Sequence, residues 1–120
     1  MKNILVVDDS PVVRQQVSRA LRTAGFVVFE AVDGQDGAEK IAATPSVSIV
    51  ICDLNMPRLN GIEMLEKVLP ERPDLPVVML TTETNPELVT RARRAGAKGW
   101  IIKPFKSDAL VAAVRKLVGA

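Results

Sequence analysis

The sequence contains no histidine and no tyrosine among its 120 residues. Without histidine, Ser-His-Asp triads, Cys-His pairs and His-ligated zinc sites are excluded. Aromatic residues make up only 3% of the chain, and the formal net charge is a mild +2. Nucleic-acid binding usually needs a basic surface with interleaved aromatic side chains, so we expect no direct nucleic-acid partner.

Cysteine and long apolar stretches are also scarce. Cys52 is the only cysteine, which excludes an intrachain disulfide. It ends an apolar run, and we expect it to be a small buried hydrophobe. No apolar stretch reaches the ~18 residues of a membrane span, and Met1-Lys2 leads straight into a strand-like run rather than a signal peptide. We therefore expect a cytoplasmic protein without membrane insertion.

A real hydrophobic core is indicated by the apolar share of 48%. The length is that of one ordinary domain, so residues 1–120 are expected to form a single domain. Short apolar runs, several of them without polar alternation, are typical of parallel strands covered on both faces. The runs that we interpret as strands are Ile4–Val7, Val27–Ala31, Val47–Cys52, Val77–Leu80 and Trp100–Ile102.

Amphipathic segments separate these runs, and their ends carry helix signals. Gly25 and Gly96 are expected to end the first and fourth helices, and Asn85 to cap the fourth. Ser107 is expected to cap the last helix. The apolar stripes at helical spacing are Val13, Val17, Ala20, Leu21 and Ala24 in the first helix, Ile62, Leu65 and Leu69 in the third, and Leu110, Val114, Leu117 and Val118 in the last.

Five alternating strand and helix units predict an α/β fold, a doubly wound five-stranded parallel sheet with helices on both faces. Strand order 2-1-3-4-5 is favoured at this length, as in flavodoxin-like folds. Such sheets place their functional site at the carboxyl ends of the strands, near the point where the strand order reverses. The polar residues at these ends are Asp8, Asp9, Asp53, Thr81, Thr82 and Lys103.

The three aspartates have two interpretations. Asp8-Asp9 suits a helix N-terminus, and Asp53 suits the start of a loop. However, Ser10 can cap the first helix, which leaves the pair without a structural role. In the predicted order the first and third strands are neighbours, so the three carboxylates converge and repel unless a cation neutralises them. Carboxylate oxygens suit Mg²⁺ or Mn²⁺, and we expect a metal site here.

The other polar strand ends complete a phosphoryl-transfer site. Taken alone, Thr81-Thr82 is typical of a turn, and Lys103 of a strand end. Together with Mg²⁺ they supply the hydroxyl donors and the positive charge that stabilise a transferring phosphoryl group. A carboxylate can act as the nucleophile and form an aspartyl-phosphate. Asp53 fits that role best, because it follows the central strand alone and faces the aspartate pair.

Over its whole length the chain resembles the receiver domain of two-component response regulators, in particular the single-domain, CheY-like chemotaxis type. The matching residues, in order along the chain, are Asp8-Asp9, Asp53, Met56-Pro57, Gly61, Thr81 and Lys103-Pro104-Phe105. The resemblance implies that Asp53 accepts the phosphoryl group. It also implies that Asp9, Asp53 and the main-chain carbonyl of Asn55 bind Mg²⁺ directly, with Asp8 acting through water.

The resemblance assigns further roles at the fourth and fifth strands. Thr81 would bond the phosphoryl group, Lys103 would pair with it, and the Lys103-Pro104 peptide bond would be cis. Trp100 occupies the position of the family's switch aromatic, where tyrosine or phenylalanine is usual. It is expected to move from exposed to buried on phosphorylation. The alternative is that Trp100 is an edge-strand aromatic that covers a helix.

The surface made by the fourth helix, fifth strand and fifth helix is expected to change on activation and bind a partner. Its basic residues are either a solvated face or a docking surface for an acidic partner segment. They are Arg91, Arg93, Arg94, Lys98 and Lys106.

The resemblance implies a regulator that catalyses only its own phosphorylation and dephosphorylation, with a histidine kinase as phosphoryl donor. Thr81-Thr82-Glu83 and Gly99-Trp100 look like chemotaxis regulators, so the expected effector is a flagellar motor switch protein. The alternative is a phosphorelay or transcription-factor receiver cut from a longer chain. An aspartate-nucleophile phosphatase of the haloacid dehalogenase type is disfavoured because Asn55 stands where that class has a second aspartate. A flavodoxin-like electron carrier is disfavoured because Asp8-Asp9 would repel its phosphate.

Overall fold

The sheet places its third strand at the centre and its second and fifth strands at the edges. The computed structural model describes residues 2–118, and its five parallel strands have the order β2-β1-β3-β4-β5. The predicted strand order is therefore confirmed, and every predicted strand agrees to within one residue at each end. The strands are β1 Asn3–Val7, β2 Val27–Ala31, β3 Val47–Cys52, β4 Val77–Thr81 and β5 Gly99–Ile102.

One helix follows each strand: α1 Pro11–Thr23, α2 Gly34–Ala43, α3 Gly61–Val68, α4 Pro86–Arg94 and α5 Ser107–Val118. Asn85 caps α4 by accepting the Glu87 amide, as predicted. The capping role predicted for Ser107 was wrong by one position. Ser107 is the first residue of α5, and the carbonyl of Lys106 accepts the Leu110 amide. None of the helices within residues 2–118 combines the length and the apolar character needed to cross a membrane.

Both faces of the sheet are covered by helices. Leu5 and Val7 of β1 face a core formed with α2, α3 and the buried residue of α4, whereas Ile4 and Val6 face a second core formed with α1 and α5. This arrangement explains the consecutive apolar residues of the strands, since successive side chains point to opposite faces and both faces are buried. The carboxyl ends of the strands remain open for polar side chains.

Candidate functional site

The carboxyl edge of the sheet is fixed by backbone hydrogen bonds that continue the strands. The Asp53 amide donates to the carbonyl of Val7 at 2.9 Å. Val7 is the last residue of β1 and precedes Asp8, so Asp53 lies beside the aspartate pair. The Lys103 amide donates to the carbonyl of Thr81, also at 2.9 Å. These bonds hold the polar residues that follow β1, β3 and β5 on one side of the sheet, as the topology predicted.

Three carboxylates converge at this edge. One oxygen each of Asp8, Asp9 and Asp53 lies within 4.8 Å of the others. Asp8 and Asp53 are only 2% and 8% exposed, whereas Asp9 is exposed. Asp8 accepts a hydrogen bond from the Ser10 amide at 2.9 Å. Charges this close and this poorly solvated repel one another, so the site favours a neutralising cation.

Within residues 2–118, Lys103 is the only cationic side chain that forms a salt bridge with these carboxylates. Its Nζ lies 3.0 Å from Asp8 Oδ2 and 3.4 Å from Asp53 Oδ2. One ammonium against three carboxylates leaves an uncompensated charge of −2. The donor set consists of hard oxygen atoms, and both its chemistry and its charge fit a divalent ion such as Mg²⁺.

Glu83 connects the two residues that were expected to act as a switch. Thr81 is fully buried, and its hydroxyl oxygen accepts the Glu83 amide at 3.2 Å. The Trp100 indole N–H donates to the Glu83 carbonyl at 3.1 Å. Trp100 is half-buried and packs against the core on the α3 side of the sheet. The structure therefore differs from the expectation of an exposed starting position for Trp100, because the ring is already held by this bond.

Asn55 and Thr82 lie at the margin of the cluster. Asn55 is exposed in the loop that follows β3. Thr82 is exposed and lines, with Lys103 and Pro104, a groove of about 900 Å³ between α1 and α5. The Lys103-Pro104 peptide bond is cis, as the resemblance implied.

Cys52 is buried beside the acidic cluster, as expected for a small hydrophobe. Its thiol donates to the Asp53 carbonyl at 3.0 Å. Burial raises the pKa of the Cys52 thiol well above its ordinary value, and the nearby charges of Asp53 and Asp8 raise it further. Cys52 is therefore a neutral thiol at neutral pH rather than a nucleophile.

Two contacts at the carboxyl edge of the sheet were missed from the sequence. Arg14 donates to the Asp8 carbonyl at 2.8 Å and is oriented by Glu30, whose Oε1 lies 3.1 Å from its Nε. No local pattern indicates this bond, because Arg14 resembles any exposed position of an amphipathic helix. In the structure, the Arg14 side chain holds the main chain at Asp8 through this hydrogen bond.

The second missed contact joins Asp33 to Arg58. Asp33 is buried and caps α2 by accepting the Asp36 amide at 2.8 Å. Its carboxylate also accepts two hydrogen bonds from the Arg58 guanidinium, at 2.7 and 3.1 Å. The bond from Arg58 and then that from the Asp36 amide lower the pKa of Asp33 below its ordinary value of 3.8. Asp33 before Gly34 is a local signal for the start of a helix. No local signal indicates that Asp33 pairs with Arg58, which lies 25 positions away.

The basic residues near α4 and α5 are mostly free of ion pairs. Arg91 lies 2.9 Å from Glu66 across the surface. The other four form no salt bridge within residues 2–118 and are exposed: Arg93, Arg94, Lys98 and Lys106. This geometry fits a solvated face and a docking surface equally well.

Comparison with known proteins adds independent evidence. The family model of the response regulator receiver domain matches residues 4–115. The chemotaxis protein CheY of Treponema pallidum is 43% identical over 104 residues, which cover 85% of this chain and 72% of the relative. A protein-glutamate methylesterase/protein-glutamine glutaminase of Caulobacter vibrioides is also 43% identical over 104 residues, covering 84% of this chain but 30% of that protein.

Among solved structures, the CheX–CheY–BeF₃–Mg²⁺ complex from Borrelia burgdorferi is similar to this chain with a TM-score of 0.92. The identity is 28%, and the match covers 97% of this chain and 88% of that one.

Proposed function

The chain belongs to the family of response regulator receiver domains, and from that premise we propose that Asp53 is the phosphoryl acceptor of a phosphorylation-activated switch of the CheY type. One observation supports this assignment above all. Asp53 follows the central strand, and its carboxylate lies within 4.8 Å of the carboxylates of Asp8 and Asp9 and 3.4 Å from the Lys103 ammonium. Its nucleophilic oxygen is thus surrounded by the groups that a phosphoryl transfer requires.

We propose that Asp9, Asp53 and the Asn55 carbonyl hold Mg²⁺ directly, and that Asp8 acts through water. The cluster of carboxylate oxygens and its charge of −2 support a divalent ion at this place. Asp8 is already engaged by Lys103 and by the Ser10 amide, which suits a role outside the direct ligands. When bound, Mg²⁺ neutralises the charge that develops on the phosphoryl oxygens.

The transfer itself forms one bond and breaks one. A carboxylate oxygen of Asp53 attacks phosphorus, and the P–N bond of a phosphohistidine on the donor kinase breaks. Lys103, whose Nζ lies 3.4 Å from Asp53 Oδ2, is close enough to pair with a phosphoryl oxygen after the transfer. Thr81 supplies a hydroxyl that can turn from accepting the Glu83 amide to donating to the phosphoryl group.

The signalling context that we propose is chemotaxis. The CheY of Treponema pallidum supports this context by its sequence, and the Borrelia burgdorferi complex supports a protein partner for such a domain. Residues 1–120 would form one cytoplasmic receiver domain that takes its phosphoryl group from a histidine kinase. The surface of α4, β5 and α5 would then bind an effector such as a flagellar motor switch protein.

A second candidate is a receiver that works inside a longer protein. The Caulobacter vibrioides relative favours it, because the matching segment makes up only 30% of that protein. In that case the phosphorylation chemistry is the same, and the changed surface contacts another domain of the same chain.

The acceptor is tested with acetyl phosphate and Mg²⁺ as a kinase-free donor. Intact-mass measurement should show one added phosphoryl group on the wild-type protein and none on Asp53→Asn, because the amide is a poor nucleophile. Asp74→Asn, at an exposed position outside the cluster, is the matched control and should label like the wild type. Equal labelling of Asp53→Asn and the wild type would overturn the assignment.

A further inference from the structure

The loop between β3 and α3 contains a residue in a strained backbone conformation. Arg58 has φ of +65°, a left-handed value that is uncommon for a residue other than glycine. The Leu59 amide donates to the Pro57 carbonyl at 2.8 Å, so Arg58 is the centre of a three-residue turn. A conformation of this kind persists only where the surrounding contacts impose it.

Those contacts come from the start of α2. The Arg58 guanidinium makes two hydrogen bonds to Asp33, and Asp33 is itself fixed, because it is buried and caps α2. Beside this pair, Gly34 lies against the loop backbone. A Cβ atom at Gly34 would collide with the carbonyl of Leu59. The tip of the loop is therefore attached to a rigid element both through the Arg58 side chain and through a close backbone approach.

The same loop leads from the phosphoryl acceptor to α3. Its base is closed by the Gly61 amide, which donates to the Leu54 carbonyl at 2.8 Å. Asn55 lies between this closed base and the attached tip. The Leu54–Gly61 hydrogen bond holds the base of the loop and the Arg58–Asp33 pair holds its tip. The main chain of Asn55 therefore has little freedom to move between them.

We propose that the Arg58–Asp33 pair positions the metal site: it sets the path of residues 54–60 and thereby the placement of the Asn55 carbonyl. This inference rests on the proposed function, in which that carbonyl is a metal ligand. Neither residue of the pair is a ligand itself, and neither belongs to the three clustered carboxylates. Groups that orient metal ligands from outside typically change metal affinity by about 10- to 100-fold when they are removed.

Two substitutions break the pair while sparing its surroundings. Arg58→Gly removes the guanidinium and relieves the left-handed strain, so a weaker site cannot be attributed to backbone strain. Asp33→Asn removes the charge but keeps a good helix cap, because asparagine caps helices as well as aspartate. Arg91→Ala breaks the exposed Arg91–Glu66 pair elsewhere on the surface and is the matched control.

The Mg²⁺ dissociation constant is measured by isothermal titration calorimetry for the wild type, the two single variants, the double variant and the control. We expect each single variant to raise the dissociation constant by about three- to tenfold, at or below the lower limit for such groups, because the close approach of Gly34 to Leu59 remains. The double variant should be no weaker than the single variants, because both remove the same contact. Initial rates with acetyl phosphate should need more Mg²⁺ but reach the wild-type rate, within about twofold, at saturation.

An unchanged dissociation constant in both single variants, with the wild type binding Mg²⁺, would overturn this inference alone. The close approach of Gly34 to Leu59 would then be sufficient to hold the loop. A wild-type protein that does not bind Mg²⁺ would instead overturn the proposed function, and this inference with it. A lower rate at saturating Mg²⁺ with an unchanged dissociation constant would also contradict the inference, because it would indicate an effect on chemistry rather than on ligand placement.

Discussion

Asp8 and Asp9 are adjacent in the sequence but have opposite environments. Asp8 is 2% exposed and is bonded to the Ser10 amide and to Lys103. Asp9 is exposed, and its side chain forms no hydrogen bond or salt bridge within residues 2–118. The first carboxylate is thus already engaged by protein groups, whereas the second is free to bind an ion. This contrast supports different roles at the metal site.

We predict that Asp9→Ala weakens Mg²⁺ binding more than Asp8→Ala, because only Asp9 is proposed as a direct ligand. The effect on stability should have the opposite order. In chelator, the free energy of unfolding of Asp8→Ala should be lower than that of Asp9→Ala by about 1–3 kcal/mol, since both relieve repulsion but only Asp8→Ala removes hydrogen bonds to a buried charge. Asp9→Ala should leave it unchanged or raise it, since it relieves repulsion. Calorimetric titration measures the Mg²⁺ affinity of the two variants, and urea unfolding measures their stability. If Asp8→Ala weakens Mg²⁺ binding more than Asp9→Ala, Asp8 rather than Asp9 is the direct ligand.

What the sequence reveals about single residues depends on the distance to their partners. Asp8, Asp9, Asp53 and Lys103 were predictable because each follows an apolar run at the same edge of the sheet. Arg58 was not, because its significance lies in an ion pair with a residue 25 positions away and in a left-handed backbone angle. Neither property has a local pattern. The groups proposed to contact the phosphoryl group can therefore be found from sequence more easily than the groups proposed to position them.

At the scale of elements, the outer edge of β2 is covered by side chains of two helices. The carbonyls of Val28 and Glu30 accept hydrogen bonds from these side chains rather than from a strand. Arg22 of α1 donates to the Val28 carbonyl at 3.1 Å, and Lys40 of α2 donates to the Glu30 carbonyl at 2.6 Å. An edge strand with open carbonyls is a template for pairing with another chain, and cationic side chains are a common protection against it.

We predict that the double variant Arg22→Ala/Lys40→Ala associates with itself more readily than the wild type. Light scattering after size exclusion, over rising protein concentration, measures this association. Arg19→Ala/Lys98→Ala is the matched control, because it removes the same two charges from exposed positions away from the β2 carbonyls. If both double variants associate to the same extent, the association comes from the loss of charge rather than from the uncovered edge of β2. If neither associates more than the wild type, the prediction is wrong.

The elements themselves were largely readable from the sequence. Runs of consecutive apolar residues located all five strands, because both faces of the sheet are buried. Helix ends were less certain, as the start of α5 at Ser107 shows. The start of α3 carried a signal that was not used. The Asn60 side chain accepts a hydrogen bond from the Glu63 amide, and the Glu63 carboxylate accepts one from the Asn60 amide. This arrangement is a capping box, and the N-x-x-E spacing in the sequence indicates it.

At the scale of the whole molecule, the strand order brings distant residues to one site. Asp8 and Lys103 are 95 positions apart in the sequence, and the Lys103 ammonium lies 3.0 Å from the Asp8 carboxylate. The topological rule for parallel sheets was sufficient to predict this meeting. It was not sufficient to predict that Thr81 and Trp100 both bond to Glu83, because that contact depends on the path of the loop after β4.

Glu83 connects Thr81, beside the proposed phosphorylation site, to Trp100 of the proposed partner surface. If Thr81 turns toward a phosphoryl group on Asp53, the Glu83 amide loses its partner and the loop is free to shift. The Glu83 carbonyl holds the Trp100 indole, so a shift of the loop moves the ring. In this hypothesis the domain has two states, which differ in the positions of Thr81 and Trp100. Phosphorylation shifts their populations only as far as the phosphoryl group interacts more favourably with one state than with the other.

The most direct test of this switch is the fluorescence of Trp100, the only tryptophan in the chain. Beryllofluoride with Mg²⁺ stands in for the phosphoryl group on Asp53. We predict that it changes the emission and reduces acrylamide quenching, because the half-buried ring moves further inward. Thr81→Ala should still bind beryllofluoride but lose most of that change. Identical emission and quenching with and without beryllofluoride in the wild type would contradict the switch, and Trp100 would then be a structural residue of β5.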